Sequence, residues 1–487
     1  MKKDSINAVR PSAWISAIPF LTLILMLSAT VSIFGSDSLS GPSQISLLVA
    51  TAVCVGIGIG RYRVRWRDIE AEIEEKVRGT TVAMYILLVI GMLSASWMIS
   101  GIVPTLICYG VQVISPTFFL ASACIISAVV SLMTGSSWTT IATIGIALLG
   151  VGQALGFDNG WTAGAIISGA YFGDKISPLS DTTVLAASSS GTPLFEHIRY
   201  MMLTTTPTVI IALAVYVVAG LMLGSSEVAD TSTFVTALES TFCITPWLLL
   251  VPAITAFLIY KKVPSLLVLF ISSMLAVVMT VIFQPHILVI IADGPMSVAA
   301  VFEGIMRTLA TSTSIDTGVP LLNELVSTSG MAGMLDTIWL ILTAMIFGGA
   351  MTATGMLRSF LEAIFRRMVR TRFGLVSATV LNGISMNMMT GDQYISIILS
   401  ANMFKDEYER QGYETRLLSR STEDSATVTS VLIPWNTCGM TQSTVLGVAT
   451  LTYMPYAVFC YLSPLMTMFQ AAIGWKIRRR GIESPSV

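Results

Sequence analysis

Apolar runs of about twenty residues alternate with short polar breaks, marked by glycine and proline, along most of the chain. Ala13 to Phe34, Thr81 to Ser100, Leu203 to Leu223 and Val445 to Ile473 each reach the roughly 20 residues a helix needs to cross a bilayer. The pattern predicts single spans near 13–34, 45–60, 80–101, 162–195, 201–223, 244–260, 264–283, 337–357, 422–440 and 445–473. Stretches 117–151 and 373–403 read as helical hairpins that enter and leave on one side. Residues 287–336 are expected to form an amphipathic or re-entrant outer segment. The predicted class is an all-α polytopic membrane protein, with about ten crossings plus two hairpin pairs. The ten-residue alternating segments of a transmembrane β-barrel are absent.

One polar stretch interrupts this pattern: "SGAYFGDKISPLSDTTVLAASSSGT", Ser168 to Thr192, carries Asp174, Lys175 and Asp181 between apolar runs. Non-helical backbone at membrane depth is tolerated only where it is buried in protein or lines a wet cavity. Pro178 removes a helical N–H and disfavours helix at Ser177, so the 162–195 span is expected to unwind there. Freed carbonyls, the hydroxyls of Ser177, Ser180, Thr182 and Thr183, and the Asp181 carboxylate would then face one point. Oxygen ligands of that kind suit a hard cation. Asp174, two helical turns before Asp181, is placed on the same path, and Lys175 is expected to serve as its counter-ion or to meet an anionic substrate.

Composition agrees with a membrane protein. Only 11% of the 487 residues are charged and mean hydropathy is +0.78, whereas soluble domains carry about 25% charged residues. The net charge of −1 implies no strongly basic or acidic partner, and no nucleic acid. Six scattered cysteines show no CxxC or metal spacing and read as packing residues. "MKKDSINAVRPSAW" leads into the first span without a small-residue cleavage site and is read as a retained helix. "GRYRVRWRDIEAEIEEKVRG" reads as a surface helix at the headgroups.

Basic residues are retained on the cytoplasmic side. All Lys and Arg except Lys175 and Arg307 fall in clusters, around Lys2–Arg10, 61–78, Arg199, 261–262, 358–372, 405–420 and 476–480. The intervening "GSDSLSGPSQ", "VGQALGFDNGW" and "GSSEVADTSTFVTALESTF" contain none. Both termini are thereby predicted to be cytoplasmic, with Arg199 at the cytoplasmic mouth.

"LMTGSSWTTI" (Leu132 to Ile141) recurs as "MMTGDQYISI" (Met388 to Ile397), 256 residues later. Each lies between two apolar helices, and each is followed by an acidic, hydroxyl-rich segment, "SPLSDTT" or "STEDSATVTS". The first copy is entered through a segment without Lys or Arg, the second through "RSFLEAIFRRMVRTR" with five Arg. Opposite charge around the same motif predicts an inverted-topology repeat, with substrate near the midplane where broken helices meet. The expected organisation is N-terminal helices and the surface helix in 1–79, repeats in 80–223 and 337–473, connecting helices in 224–336 and a cytoplasmic tail in 474–487. The second break offers Asp424, Glu423, Ser425, Thr427 and Thr429 as ligands, Asp424 ahead of Glu423. The tips, Thr134, Gly135, Ser136 and Ser137 with Thr390, Gly391 and Asp392, either touch the ion or permit tight packing. Ionisable groups inside a membrane are expensive and usually functional. Burial raises a carboxylate's pKa, so one carboxylate can serve a metal cation and a proton alternately.

At these residues the chain resembles the NhaC family of bacterial Na+/H+ antiporters, within the ion-transporter superfamily of inverted-repeat carriers. "GAYFGDKISPLSDTT" with "GTPLFEHIRYM", and "TGSSWTTIATIG", carry the likeness, which extends from about Ser46 to the C-terminus. The resemblance implies a secondary Na+/H+ antiporter of the bacterial inner membrane, with Na+ held at Asp181 and Asp424 and no cofactor. The alternative it leaves open is a cation-coupled exchanger of small carboxylates such as malate and lactate, with Lys175 or Arg199 holding the anion. Expected partners are Na+, H+, the bilayer and, as an assembly, a second copy of the chain. An enzyme finds no P-loop, zinc motif or GxSxG to support it. A channel fits poorly with opposed broken helices.

Overall fold

The computed structural model describes residues 11–34, 40–223, 231–319, 322–323, 326–365 and 368–477. These residues are helical nearly throughout, and the pairing of Thr313 with Thr328 is an isolated bridge. Among the described residues, eight helices are long and apolar enough to cross a membrane, or up to ten when each of two sharply bent pairs counts as one span. The chain is a multi-pass membrane protein. Lys2, Lys3, Arg10, Arg366, Arg367 and Arg478 to Arg480, which enter the charge argument, lie outside the described residues, as does most of the 474–487 tail.

Both predicted hairpins form, and their turns are built alike. Phe119–Thr134 ends at Gly135, whose φ of +66° places it in the left-handed region that favours glycine. The Ser136 side chain then caps the returning helix by accepting from the Thr139 amide at 3.2 Å. Arg372–Thr390 ends at Gly391, also with φ +66°, and Asp392 caps Gln393–Arg410 through the Ile395 amide at 2.8 Å. The Thr134 hydroxyl donates to the Ser136 carbonyl at 3.1 Å, and Thr390 does the same to Asp392 at 3.2 Å. Further on, Gly156 and Gly412, and then Gly191 and Gly447, repeat a left-handed residue at the same spacing of 256.

The 162–195 span divides into Asn159–Ile176 and Asp181–Ser190, with the interruption at Ser177 to Ser180. The first half packs directly on Phe119–Thr134. A Cβ at Gly169 would lie 2.0 Å from the Cys124 carbonyl oxygen, and one at Gly173 would lie 2.2 Å from that of Ala128. Small residues four apart thus let two backbones touch, the usual basis of helix association in lipid.

Four expectations need correction. "STEDSATVTS" does not unwind: it continues Thr415–Thr422 as a π-helical turn, Glu423–Thr427. Its hydroxyls bond back into the helix, Ser425 to the Ser421 carbonyl at 2.7 Å and Thr429 to that of Ser425 at 2.8 Å. The interruption falls at Ile433 to Asn436, before Thr437–Leu446, because Pro434 disfavours helix at the residue before it. Pro434 stands 256 residues after Pro178, the same spacing as the hairpin turns. The expected surface helix is not separate, since Trp66–Ile99 is one 34-residue helix. The 445–473 run bends by 55° between Thr450–Tyr456 and Val458–Ile473. Residues 285–310 form two helices, Pro285–Ala292 and Val298–Ala310, which meet where Gly304 touches the Leu288 carbonyl.

Gly169→Ala should destabilise the purified protein by about 1–3 kcal/mol, since neither backbone can yield without moving a helix. Gly56→Ala, with nothing within 4 Å of the new Cβ, should be neutral or mildly stabilising. Thermal unfolding in detergent compares the two, and equal midpoints would mean that the helices are not in carbonyl contact.

Candidate cation-binding site

The two interruptions are held by the two hairpin turns. A Cβ on Gly135 would meet the Leu179 backbone at 2.7 Å, and one on Gly391 would meet the Trp435 carbonyl oxygen at 3.3 Å. Leu179 and Trp435 occupy the same register in the two halves. Side chains then satisfy the backbone that the breaks release. Ser177 donates to the Leu132 carbonyl at 2.9 Å, and Thr183 to that of Lys175 at 2.9 Å. In the second half Asn387 donates to the Ala426 carbonyl at 2.6 Å, and Gln393 to that of Thr427 at 3.1 Å. Ser180 and Asn436, again in matching register, cap the helices that resume.

The charged residues sit where these elements converge. Lys175 and Asp424, both fully buried, form an ion pair. Asp424 also accepts hydrogen bonds from Thr204 at 2.7 Å and from Thr467. The Lys175 ammonium donates to Ser463 at 2.8 Å and lies over the Phe459 ring, 5.4 Å from its centroid. Lys175 is therefore not the counter-ion of Asp174, because adjacent residues on a helix do not face each other. Asp174 turns instead to the first hairpin, where the Ser137 amide and hydroxyl donate to it at 3.1 and 2.7 Å.

Glu423 connects the halves. The Thr182 hydroxyl donates to it at 3.5 Å, the far limit of a hydrogen bond, and shares another with Ser180 at 2.9 Å. The Thr427 side chain, one turn on in the same helix, is a second hydroxyl partner of this buried carboxylate. Glu423 lies within electrostatic reach of Lys175, Asp174 and Asp424.

Asp181 begins the Asp181–Ser190 helix and is exposed. Its charged neighbour is Asp174, so Asp181 and Asp424 have different surroundings. Their register differs as well: Asp181 matches Thr437, and Asp424 matches Ser168. Ser425 is engaged inside its own helix, and the buried Thr427 side chain interacts with Glu423 one turn before it. Thr134, Gly135, Ser136, Thr390, Gly391 and Asp392 serve the turns, with Asp392 buried as a cap. Arg199 is exposed on Leu194–Leu223, and Lys175 is engaged by Asp424.

Thr204, Thr467 and Ser463, which reach the ion pair, were not among the residues singled out from sequence. Their only signal was hydroxyls at intervals inside otherwise apolar helices. Ser137 was named as a turn residue, and its role as the donor to Asp174 depends on the fold.

Buried charges among hydroxyls, between two similarly built halves with interrupted helices, are the working parts of a secondary carrier. The profile described as the Na+/H+ antiporter family matches residues 11–185 and 169–475, and the chain belongs to that family. The Na+/H+ antiporter NhaC of Alkalihalophilus pseudofirmus is 34% identical over 460 residues, covering 94% of this chain and 96% of the relative. That of Bacillus subtilis is 35% identical over 409 residues, 83% and 86% of the two chains. The malate-2H+/Na+-lactate antiporter of Bacillus subtilis is 33% identical over 436 residues, 89% and 88%. These relatives are transporters and not enzymes.

Lys175→Met should destabilise the fold by about 3–5 kcal/mol, the cost of leaving a buried carboxylate without its partner. Combining it with Asp424→Asn should recover part of that loss. Melting curves of the single and double variants give the coupling, and strictly additive losses would contradict the pair.

Proposed function

We propose that the protein exchanges Na+ for H+ across the bacterial cell membrane by alternating access, with Na+ and H+ competing for the buried carboxylates. The observation that carries this reading is the Lys175–Asp424 pair, set among the hydroxyls of Thr204, Thr467 and Ser463 where the two halves meet. An oxygen set that already accommodates an ammonium ion provides the hard, singly charged environment that a dehydrated Na+ needs. Glu423, one residue away, supplies a second carboxylate facing Thr182. The proposed ligands are Asp424, Glu423, Thr182, Ser180 and, from the first break, Asp181, Asp174, Ser177 and Thr183. Ser425 and Thr427 support the second half of the site.

The accessibility of the breaks supports the alternating element. Pro178, Leu179 and Asp181 are exposed, whereas their counterparts Pro434 and Trp435 are half-buried and Thr437 is buried. The first break is thus more accessible than its counterpart. In this reading 80–223 and 337–473 are repeats of opposite orientation, both termini are cytoplasmic, and the turns at Gly135 and Gly391 move with the breaks they touch.

Asp424→Asn should abolish Na+-driven proton movement in proteoliposomes while the protein still inserts and purifies. Asp181→Asn should do nearly the same if the exposed carboxylate receives the ion. Wild-type flux in Asp424→Asn would remove it from the site.

Lowering pH should raise the apparent KM for Na+ more than it changes the maximal rate, because a protonated carboxylate has lost the charge that offsets dehydration of the cation. Below the pKa of the site, each pH unit should weaken apparent Na+ affinity about tenfold per displaced proton. Measuring Na+ dependence at several pH values is the test, and a pH-independent affinity would mean that the proton uses separate residues.

Orientation has its own test. In a cysteine-free background, a cysteine at Gly156 should label from outside and one at Gly412 from the cytoplasm. Labelling of both from one side would contradict the inversion.

A further inference from the structure

Asp424 and Ser168 occupy the same register in the two halves, 256 residues apart, and the same two helices reach both. At Asp424 the contacts come from Thr204 on Leu194–Leu223 and Thr467 on Val458–Ile473. At Ser168 they come from the Tyr216 hydroxyl and the Phe459 amide, further along the same two helices. The Ser168 and Tyr216 hydroxyls share a hydrogen bond at 2.6 Å, and both residues are fully buried. One meeting point thus holds a carboxylate paired with Lys175, and the other holds two hydroxyls. Ser168 and Lys175 stand two turns apart on one helix, Asn159–Ile176.

The hydroxyl pair acts on the start of a helix. The 445–473 run bends by 55° at Ala457 and resumes as Val458–Ile473. The first amides of a helix have no partner inside it, and alanine at the capping position has no side-chain oxygen to offer them. Instead Tyr216 accepts from the Val458 amide and Ser168 from the Phe459 amide, each at 3.3 Å. On the other side of the bend the Tyr216 hydroxyl lies 2.8 Å from the Tyr456 carbonyl oxygen and 3.0 Å from that of Gly164, with one proton for the two. A Cβ at Gly164 would lie 2.5 Å from the Tyr456 carbonyl, so the bend sits directly on the backbone of Asn159–Ile176. One and two turns beyond Phe459 stand Ser463 and Thr467, which reach Lys175 and Asp424. We propose that Tyr216 and Ser168 are positioning residues for the cation site. By capping Val458–Ile473 from two other helices, they set the register in which Ser463 and Thr467 present hydroxyls to the buried pair. The proposal rests on the reading of that pair as part of the Na+ site.

The test uses the full-length protein in proteoliposomes, with the apparent KM for Na+ and the maximal rate of Na+-driven proton flux measured at fixed pH. Tyr216→Phe, which keeps the ring, and Ser168→Ala should each raise KM about threefold to tenfold, as for one misplaced hydrogen bond, and change the maximal rate less. Ser272→Ala is the control. It breaks an equally buried cluster with Trp97 and Thr255, on helices that contribute nothing to the ion pair, and should leave KM unchanged. In a Ser463→Ala/Thr467→Val background, Tyr216→Phe should change KM less than about twofold, because the hydroxyls it positions are gone. A full effect in that background, or an unchanged KM in both single variants, overturns the positioning role. Melting midpoints of Tyr216→Phe, Thr467→Val and their double variant decide the same point without flux. About 13 Å of helix separates Val458 from Thr467, a distance at which independent losses add. The losses should instead be less than additive, and strict additivity overturns the coupling. No Na+-driven flux in the wild type would overturn the exchange reading alone, and the midpoints would still judge the role of Tyr216.

Discussion

A fully buried ammonium facing a fully buried carboxylate is the contact on which the rest of this structure depends. Lys175 belongs to the last turn before the first break, and Asp424 to the π-helical turn before the second. Removing two charges from water costs several kcal/mol per ion, and their attraction repays that only with good geometry and further hydrogen bonds. Thr204, Thr467 and Ser463 supply those bonds from two other helices. Four segments distant in the chain therefore converge on one pair of charges.

Broken helices raise a second cost, because an unsatisfied backbone group in hydrocarbon is worth several kcal/mol. The protein meets it with side chains chosen for reach. Ser177, Thr183, Asn387 and Gln393 each donate to a carbonyl near an interruption. The hairpin turns seal the same places, which requires glycine at 135 and 391 both for backbone angle and for closeness to Leu179 and Trp435.

The two halves share a scaffold and differ in chemistry. Register 256 places Asp181 opposite Thr437, Asp174 opposite Ser430, and Asp424 opposite Ser168. These three carboxylates therefore correspond to hydroxyls in the other half. A repeat of shape can thus produce a single asymmetric centre, in which one half contributes the ammonium and the other its carboxylate.

Membrane residence, the two hairpins, the break at Pro178 and the recurrence of the Thr-Gly turn were determined by the sequence alone, because each rests on local chemistry. Twenty apolar residues need lipid, proline cannot donate, and glycine enters the left-handed region. The same local rule would have located the second break, since Pro434 keeps the spacing that Gly135 and Gly391 establish. The cluster "STEDSATVTS" concealed it, because hydroxyl side chains can either open a helix or bond back into it, and composition does not distinguish the two. The partner of Lys175, the exposure of Asp181, the donors from Thr204 and Thr467, and the stacking of Arg420 on Tyr200 were decided only by tertiary structure. Each depends on which faces of distant helices meet, and the pattern along a single helix says that a face is polar without naming what lies across from it.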